Sequence, residues 1–257
     1  MAIVSKNTVP NLAENEFELP VGYVDKSGVF HKTFKLREMT GEVEEAMADK
    51  KIRTNPGKMV TEAIYGVLES LGTLPKIDRM IVKQLSNVDR DFILLMNYKY
   101  SLGDEIEWVT ACPFCDTRID VKAEVDKFPV KYMTEDEPRL LTVELSTGIT
   151  NDETQEKHKE ITLSFPNGLV QEKVFGTVEK NPAEALSIML AMCTENIKGL
   201  NNWNYETFKK MSKKDRKILN NAINDVEVGA ELFAKISCPD CGADHDSVVP
   251  FMQLLGE

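Results

Sequence analysis

The 257 residues carry 42 acidic and 31 basic side chains, a net charge of −11 at pH 7. That balance argues against a general nucleic-acid binder, which must neutralise phosphates. The hydrophobic fraction of 42% suffices for one large domain or two small ones, while the most apolar stretches, 92–96 and 185–193, are far short of a membrane span. Residues 1–8 carry Lys6 and no apolar leader, so a cytoplasmic protein is expected.

In chain order, strand signals come first, at 17–19 and 29–36, with a hairpin over 24–36. An acidic helix starts after Thr40. Asn55 as N-cap and Pro56 at the first helical position open a longer helix. Its apolar residues Val60, Ile64, Val67, Leu68 and Leu71 recur at helical spacing. Ser86, followed three residues later by Asp89, starts a further helix with Phe92, Leu95 and Met96 on its apolar side. After Gly103 a strand runs into Cys112-Pro113-Phe114-Cys115. A second strand leaves it, with Ile119, Val121, Ala123 and Val125 alternating with Asp120, Lys122 and Glu124. Residues 134–159 are polar and acidic apart from a short apolar run near Leu140; they read as a connector with a mobile loop at 150–157. Another strand is expected at 161–165. A helix follows from Asn181-Pro182, with apolar positions at 186, 189, 190, 193 and 197. A last helix starts at Ser212, and a strand after Gly229 leads to Cys238-Pro239-Asp240-Cys241.

This order contains a repeat. Cys238 follows Cys112 by 126 positions (238 − 112 = 126), and the same offset relates Cys115 to Cys241 and Gly103 to Gly229. It also relates Asp89-Arg90 to Asp215-Arg216, Ser86 to Ser212, and Asn55-Pro56 to Asn181-Pro182. One offset kept across helix starts, an apolar stripe, a glycine and a cysteine pair reads as a tandem duplication. Upstream, Glu18-Leu19-Pro20-Val21-Gly22 resembles Ser164-Phe165-Pro166-Asn167-Gly168. On that alignment about twenty residues of the first copy, including its hairpin, are missing from the second.

Paired cysteines at this spacing in a cytoplasmic protein read as metal ligands rather than disulfides. Zinc takes four ligands in a tetrahedron, and two residues between cysteines let both sulfurs turn toward one ion. One pair supplies only two ligands. Cys112, Cys115, Cys238 and Cys241 must therefore meet around one structural zinc near a pseudo-twofold axis between the halves. Gly242 suits the tight turn after the second cysteine, and Asp116 is a tolerable substitute. Such sites also hold iron, as in rubredoxins, but nothing else here suggests electron transfer. Four thiolates leave no open position for a catalytic water.

Other candidates receive plainer readings. Cys193 replaces Val67 on an apolar stripe and is expected in the core. His31 is expected to be solvated on its hairpin. His245, four residues past Cys241, could compete as a ligand. Lys209, Lys210, Lys213, Lys214, Arg216 and Lys217 form a basic cluster, read as a solvated helix start. Asp89-Arg90 and Asp215-Arg216 read as cap-and-surface pairs. No P-loop, dinucleotide-binding glycines, zinc-protease helix or nucleophile elbow is present.

The order of Glu18-Leu19-Pro20-Val21-Gly22, Leu36-Arg37-Glu38-Met39-Thr40-Gly41-Glu42, Asp89-Arg90-Asp91-Phe92, Leu102-Gly103-Asp104, Cys112-Pro113-Phe114-Cys115, Asp215-Arg216, Cys238-Pro239-Asp240-Cys241-Gly242 and Phe251 carries a resemblance. It resembles the T-even-type baseplate hub assembly chaperone family of contractile-tailed bacteriophages and related contractile injection systems, over residues 14–255. The resemblance implies a non-enzymatic part in building the baseplate or its hub. Its partners would be other baseplate, hub or tail proteins, in the host cytoplasm during assembly, with a place in the virion baseplate as an alternative.

The expectation is an α+β fold of internally duplicated helix–strand–zinc-knuckle halves sharing one four-cysteine zinc-ribbon site, with an N-terminal β-hairpin. The first half would span 1–130, the acidic connector 131–160 and the second half 161–257. The rival reading is a zinc-ribbon accessory factor that binds nucleic acid through the basic cluster.

Overall fold

The structure is a computed structural model that describes residues 13–134, 136–151 and 154–256, without the side chain of Phe251. The readings of residues 1–8 and of the centre of the 150–157 loop lie outside the described residues. The fold mixes helices with several small antiparallel sheets.

Strands β1 (Glu16–Val24) and β2 (Phe30–Leu36) form the expected hairpin, and α1 (Gly41–Ala48) follows. Helix α2 (Pro56–Val67) is capped by the Asn55 side chain, which accepts from the Lys58 amide. The helical stripe was expected to run on to Leu71, but the helix ends at Val67. Residues Leu68–Leu71 form β3, which pairs with β2. Leu68 and Leu71 are buried in this geometry, and the free edge of β2 supplies ladder partners that helix periodicity alone does not reveal. Helix α3 (Arg79–Gln84) leads to α4 (Asn87–Leu102), whose N-cap Ser86 accepts from the Asp89 amide. Gly103 ends α4 at φ 116°, a left-handed conformation that suits glycine.

Strands β4 (Glu105–Ala111) and β5 (Arg118–Glu124) form a hairpin, and β6 (Val130–Lys131) comes next. The expected connector is not one. It holds β7 (Leu140–Thr150) and the start of β8 (Lys157–Ser164), which pair antiparallel. Leu141, Val143 and Leu145 point one way, alternating with Thr142 and Glu144, a strand period hidden by its acidic surroundings. The chain continues through α5 (Gly168–Val178), α6 (Pro182–Cys193), β9 (Thr194–Ile197), α7 (Tyr205–Lys209) and α8 (Lys213–Asn224). As in the first half, the helix from Asn181-Pro182 stops early, and β9 pairs with β8. Short β10 (Gly229–Ala230) pairs with β6; β11 (Phe233–Ser237) and β12 (Asp244–Val248) form a hairpin, and α9 (Phe251–Leu254) closes the chain.

The sheets β1-β2-β3 and β7-β8-β9 share one strand order. Residues 140–164 therefore supply a hairpin like β1–β2, and Glu144-Leu145-Ser146-Thr147-Gly148 takes the place in it that Glu18-Leu19-Pro20-Val21-Gly22 takes in the first sheet, again 126 positions on (144 − 18 = 126). The pairing of β1 breaks between Glu18 and Tyr23, and that of β7 between Glu144 and Ile149. Gly22 and Gly148 sit in these irregularities at φ 86° and 85°. A strand that leaves its ladder frees amides that need acceptors. Asp89 accepts from the amides of Val21 (2.8 Å) and Gly22 (3.3 Å). Asp215 accepts from those of Ser146 (2.7 Å), Thr147 (3.1 Å) and Gly148 (3.2 Å).

The neighbouring arginines also turn inward. Arg90 donates to the Val82 carbonyl (2.9 Å), the Gly57 carbonyl (3.3 Å) and Thr61 Oγ1 (3.1 Å). Arg216 donates to Phe208, Ala183 and Ser187, each 126 positions after those partners. The expected cap-and-surface pairs keep the cap, through Ser86–Asp89 and Ser212–Asp215, but not the surface: Asp89, Arg90 and Asp215 are fully buried. An aspartate that collects bulge amides and an arginine that collects helix carbonyls can both be buried because their hydrogen-bonding capacity is used.

The largest core joins β1–β3, α2 and α4 to the β4–β5 hairpin, and also takes in Cys238, Val249, Leu254 and Leu255. The C-terminal hairpin thus packs with the first half. A second core lies among β7–β9, α6 and α8, around Leu145, Ile161, Leu163, Leu190 and Leu219. Helix α5 crosses between the two: the Gln171 side chain accepts from Arg90 (3.0 Å), and Glu172 accepts from Thr61 (2.8 Å) and pairs with Lys83 (3.0 Å).

Candidate metal centre

The two hairpins β4–β5 and β11–β12 carry the cysteines at their tips. Their registers correspond residue for residue: Ala111 faces Arg118 in one, and Ser237 faces Asp244 in the other. The turns match as well. The Cys112 amide donates to the Thr117 carbonyl and the Asp116 amide to the Cys112 carbonyl, each at 2.9 Å. The Cys238 amide donates to Ala243 (2.9 Å) and the Gly242 amide to Cys238 (3.0 Å). Asp116 has φ 62° and Gly242 φ 71°. The tight turn therefore demands a left-handed residue, supplied by glycine in one knuckle and by aspartate, which tolerates that region, in the other.

These turns bring Cys112, Cys115, Cys238 and Cys241 together, with all four sulfurs within 4.8 Å of one another. Cys112 Sγ is 3.7 Å from Cys241 Sγ, and Cys115 Sγ is 3.5 Å from Cys238 Sγ. Thiolates about 2.3 Å from one tetrahedral ion would lie ~3.8 Å apart, so the donor set fits a metal ion. Cys112 and Cys238 are buried, whereas Cys115 and Cys241 face outward. No disulfide links them.

The sulfurs differ in acidity before any ion binds. The side chain and backbone of Thr117 hold Cys115 down to about 6. The Ala243 amide favours a thiolate at Cys241, but the neighbouring Cys115, burial, Cys238 and Cys112 outweigh it and push Cys241 up to about 12. One negative sulfur makes the next harder to ionise, and a bound cation removes that conflict.

The other sequence candidates stand apart. His245 lies on β12 opposite Ile236, outside the four-sulfur group, and its ring meets Phe114 edge-on at 6.4 Å. His31 is not solvated: it is 3% exposed, with Nε2 3.3 Å from Asp25 and Nδ1 accepting from the Thr73 amide. Cys193 is fully buried in the second core, and burial, with Glu195 adding to it, pushes its thiol up to about 12. Sequence reasoning missed two links between the knuckle hairpins: Thr117 Oγ1 donates to Asp240 at 2.7 Å, and Trp108 Nε1 donates to Ser247.

The family model of T4 bacteriophage base plate proteins matches residues 16–253. The chain belongs to this family. No curated protein and no solved structure matches it. The family match spans the first sheet, α5 and both knuckles of this baseplate protein, so the cysteine cluster lies within the matched residues. Among the described residues, no helix is long and apolar enough to cross a membrane.

Proposed function

We propose that this baseplate-family protein is a non-enzymatic assembly factor, stabilised by one structural zinc ion, that binds other tail proteins while the baseplate or its hub is built. The family match over 16–253 carries this reading. The zinc assignment draws support from four sulfurs within 4.8 Å, a donor set that closes a tetrahedron and leaves no open position for a substrate. Zinc would be held by Cys112, Cys115, Cys238 and Cys241, and its role would be to clamp the two hairpins. The protein would act in the host cytoplasm, as a chaperone or as a component of the growing structure.

Residues 1–130 and 131–257 are best read as tandem copies forming a zinc ribbon where their knuckles meet, the second copy starting ahead of 161 because β7 belongs to it. The observations behind this are the recurrence of the Ser86–Asp89 cap at Ser212–Asp215 and of the Arg90 ties at Arg216. Residues 131–160 would then be the opening strand of the second copy with a short lead-in.

Deleting the gene from the phage tests the functional reading. Infected cells are expected to accumulate tail tubes or other precursors and few complete baseplates. Normal baseplate numbers without the protein would overturn it.

A further inference from the structure

Within the chain, α5 fills a groove between α2, α3 and α4. Gly168 lets its backbone press on the Arg90 guanidinium, which a Cβ there would strike. Gln171 then meets Arg90, and Glu172 meets Thr61 and Lys83. Each groove residue recurs 126 positions later: Ser187 for Thr61, Lys209 for Lys83, Arg216 for Arg90. The tie between them is kept, with Arg216 donating to Ser187 at 2.8 Å. Yet among the described residues nothing takes the place of Gln171 at Arg216. Ala183 is exposed where Gly57 is buried, and Lys209 is 58% exposed where Lys83 is 27% exposed.

The ridge that fills the first groove also has a counterpart. Thr40-Gly41-Glu42-Val43-Glu44-Glu45 precedes Asn167-Gly168-Leu169-Val170-Gln171-Glu172 by 127 positions (167 − 40 = 127), and both segments open helices, α1 and α5. Val43 and Val170 are buried, while Gly41, Glu44 and Glu45 are exposed. Nothing lies within 4 Å of where a Gly41 Cβ would stand, and its φ is not left-handed, so its own chain gives no reason for a glycine there. The α5 counterpart supplies one: the arginine that lies against Gly168.

We propose that the α1 ridge of one copy docks into the open groove of a second copy, repeating between chains the junction that α5 makes within each chain. The acidic ridge, Glu42, Glu44 and Glu45, meets Arg216 and Lys209, the latter shared with Glu206 of its own helix at 3.3 Å. A second copy's α5 cannot serve, because its own chain already holds it. The contact is head-to-tail, so each pair leaves one ridge and one groove open for further copies. Ala183 makes it looser than the internal junction. A Cβ at Gly57 would stand 2.8 Å from the Glu172 backbone, so the incoming helix must ride further out over Ala183. The association is therefore weak, dependent on concentration, and screened by salt.

Sedimentation velocity of the metal-loaded full chain tests this. At low salt the mean mass is expected to rise with protein concentration and to fall back when salt is added. A ridge variant, Glu44→Lys with Glu45→Lys, and a groove variant, Ala183→Trp, should each stay monomeric, with metal content and circular dichroism unchanged. Mixed in equal amounts they should form dimers and nothing larger, since only one intact ridge and one intact groove remain. A wild-type chain that is monomeric at every concentration, association untouched by both variants, or longer chains from the mixture would overturn the proposal.

Discussion

Trp108 Nε1 donates a hydrogen bond to Ser247 Oγ at 2.9 Å, joining β4 of the first knuckle hairpin to β12 of the second across 139 positions of sequence. Both residues are 3% exposed. The bond ties the two hairpins together through their sides, four residues before Cys112, and so holds the knuckles in register without calling on the cysteines. Ser247→Ala would leave the indole N–H buried without an acceptor, a loss of ~1–3 kcal/mol. The urea midpoint of the metal-loaded protein should fall accordingly. An unchanged midpoint would mean the link carries no weight.

Metal content follows from the four-sulfur geometry. Elemental analysis is expected to find one zinc per chain. Cys115→Ser and Cys241→Ser should reduce it equally, because each removes one corner of the same tetrahedron. Structural zinc contributes ~10 kcal/mol or more of apparent binding energy in small peptides. Here the large first core remains, so lower stability and poor solubility are expected rather than complete unfolding. Retention of zinc in one variant and its loss in the other would contradict a shared site.

Asp89 and Asp215 occupy matching positions but should respond to pH in opposite ways. Burial pushes Asp89 up to about 6 from 3.8, against the pull of the Val21 amide, the Ser86 hydroxyl and the Gly22 amide. Its folded state favours the protonated acid. The stability this contributes is present below pH 4 and is lost as pH rises through about 6, a change of ~3 kcal/mol at most. At Asp215 burial also opposes the charge, but hydrogen bonds from Thr147, Ser212, Ser146 and Gly148 outweigh it and hold the carboxyl low. That contribution is present above 3.8 and is lost as pH falls through the lowered value. Comparing wild type with Asp89→Asn and Asp215→Asn in denaturation experiments between pH 3 and 7 separates the two signs. Parallel pH curves for both pairs would refute the assignment.

Arg90 is fully buried, whereas Arg216 is half-buried. Arg90→Met would strand the carbonyls of Val82 and Gly57 and the Gln171 side chain, and each buried acceptor left unpaired costs ~1–3 kcal/mol. Arg216→Met exposes its carbonyl partners partly to water and should cost clearly less. Thermal or urea denaturation ranks the two. An equal loss would show that α5 adds nothing at Arg90.

Cys193, whose thiol is pushed up to about 12, stays protonated at neutral pH and has no surface. Alkylation of the native metal-loaded protein should leave it unmodified, and it should react once the chain is denatured. Mass spectrometry of the labelled peptides reads the difference. Rapid native labelling at Cys193 would mean that the second core opens locally.

Local chemistry determined part of this molecule from the sequence alone. Asn55-Pro56, Asn181-Pro182, Ser86 and Ser212 start helices because each side chain can satisfy amides a few residues away. The 126-residue offset and the two Cys-Pro-x-Cys pairs marked the four cysteines whose sulfurs come within 4.8 Å of one another, because the backbone fixes the spacing within each pair locally. What the sequence could not decide depended on distant partners. Leu68–Leu71 and Thr194–Ile197 satisfy helix and strand periods alike until β2 and β8 offer an edge. Residues 140–150 looked like an acidic linker until β8 paired with them. Asp89 and Arg90 looked like a surface pair because the bulge amides and helix carbonyls that justify their burial lie from 8 to 68 positions away. That α5 packs against α2 was likewise decided only by the tertiary structure, since nothing in the sequence shows that the absent Cβ of Gly57 makes room for the Glu172 backbone.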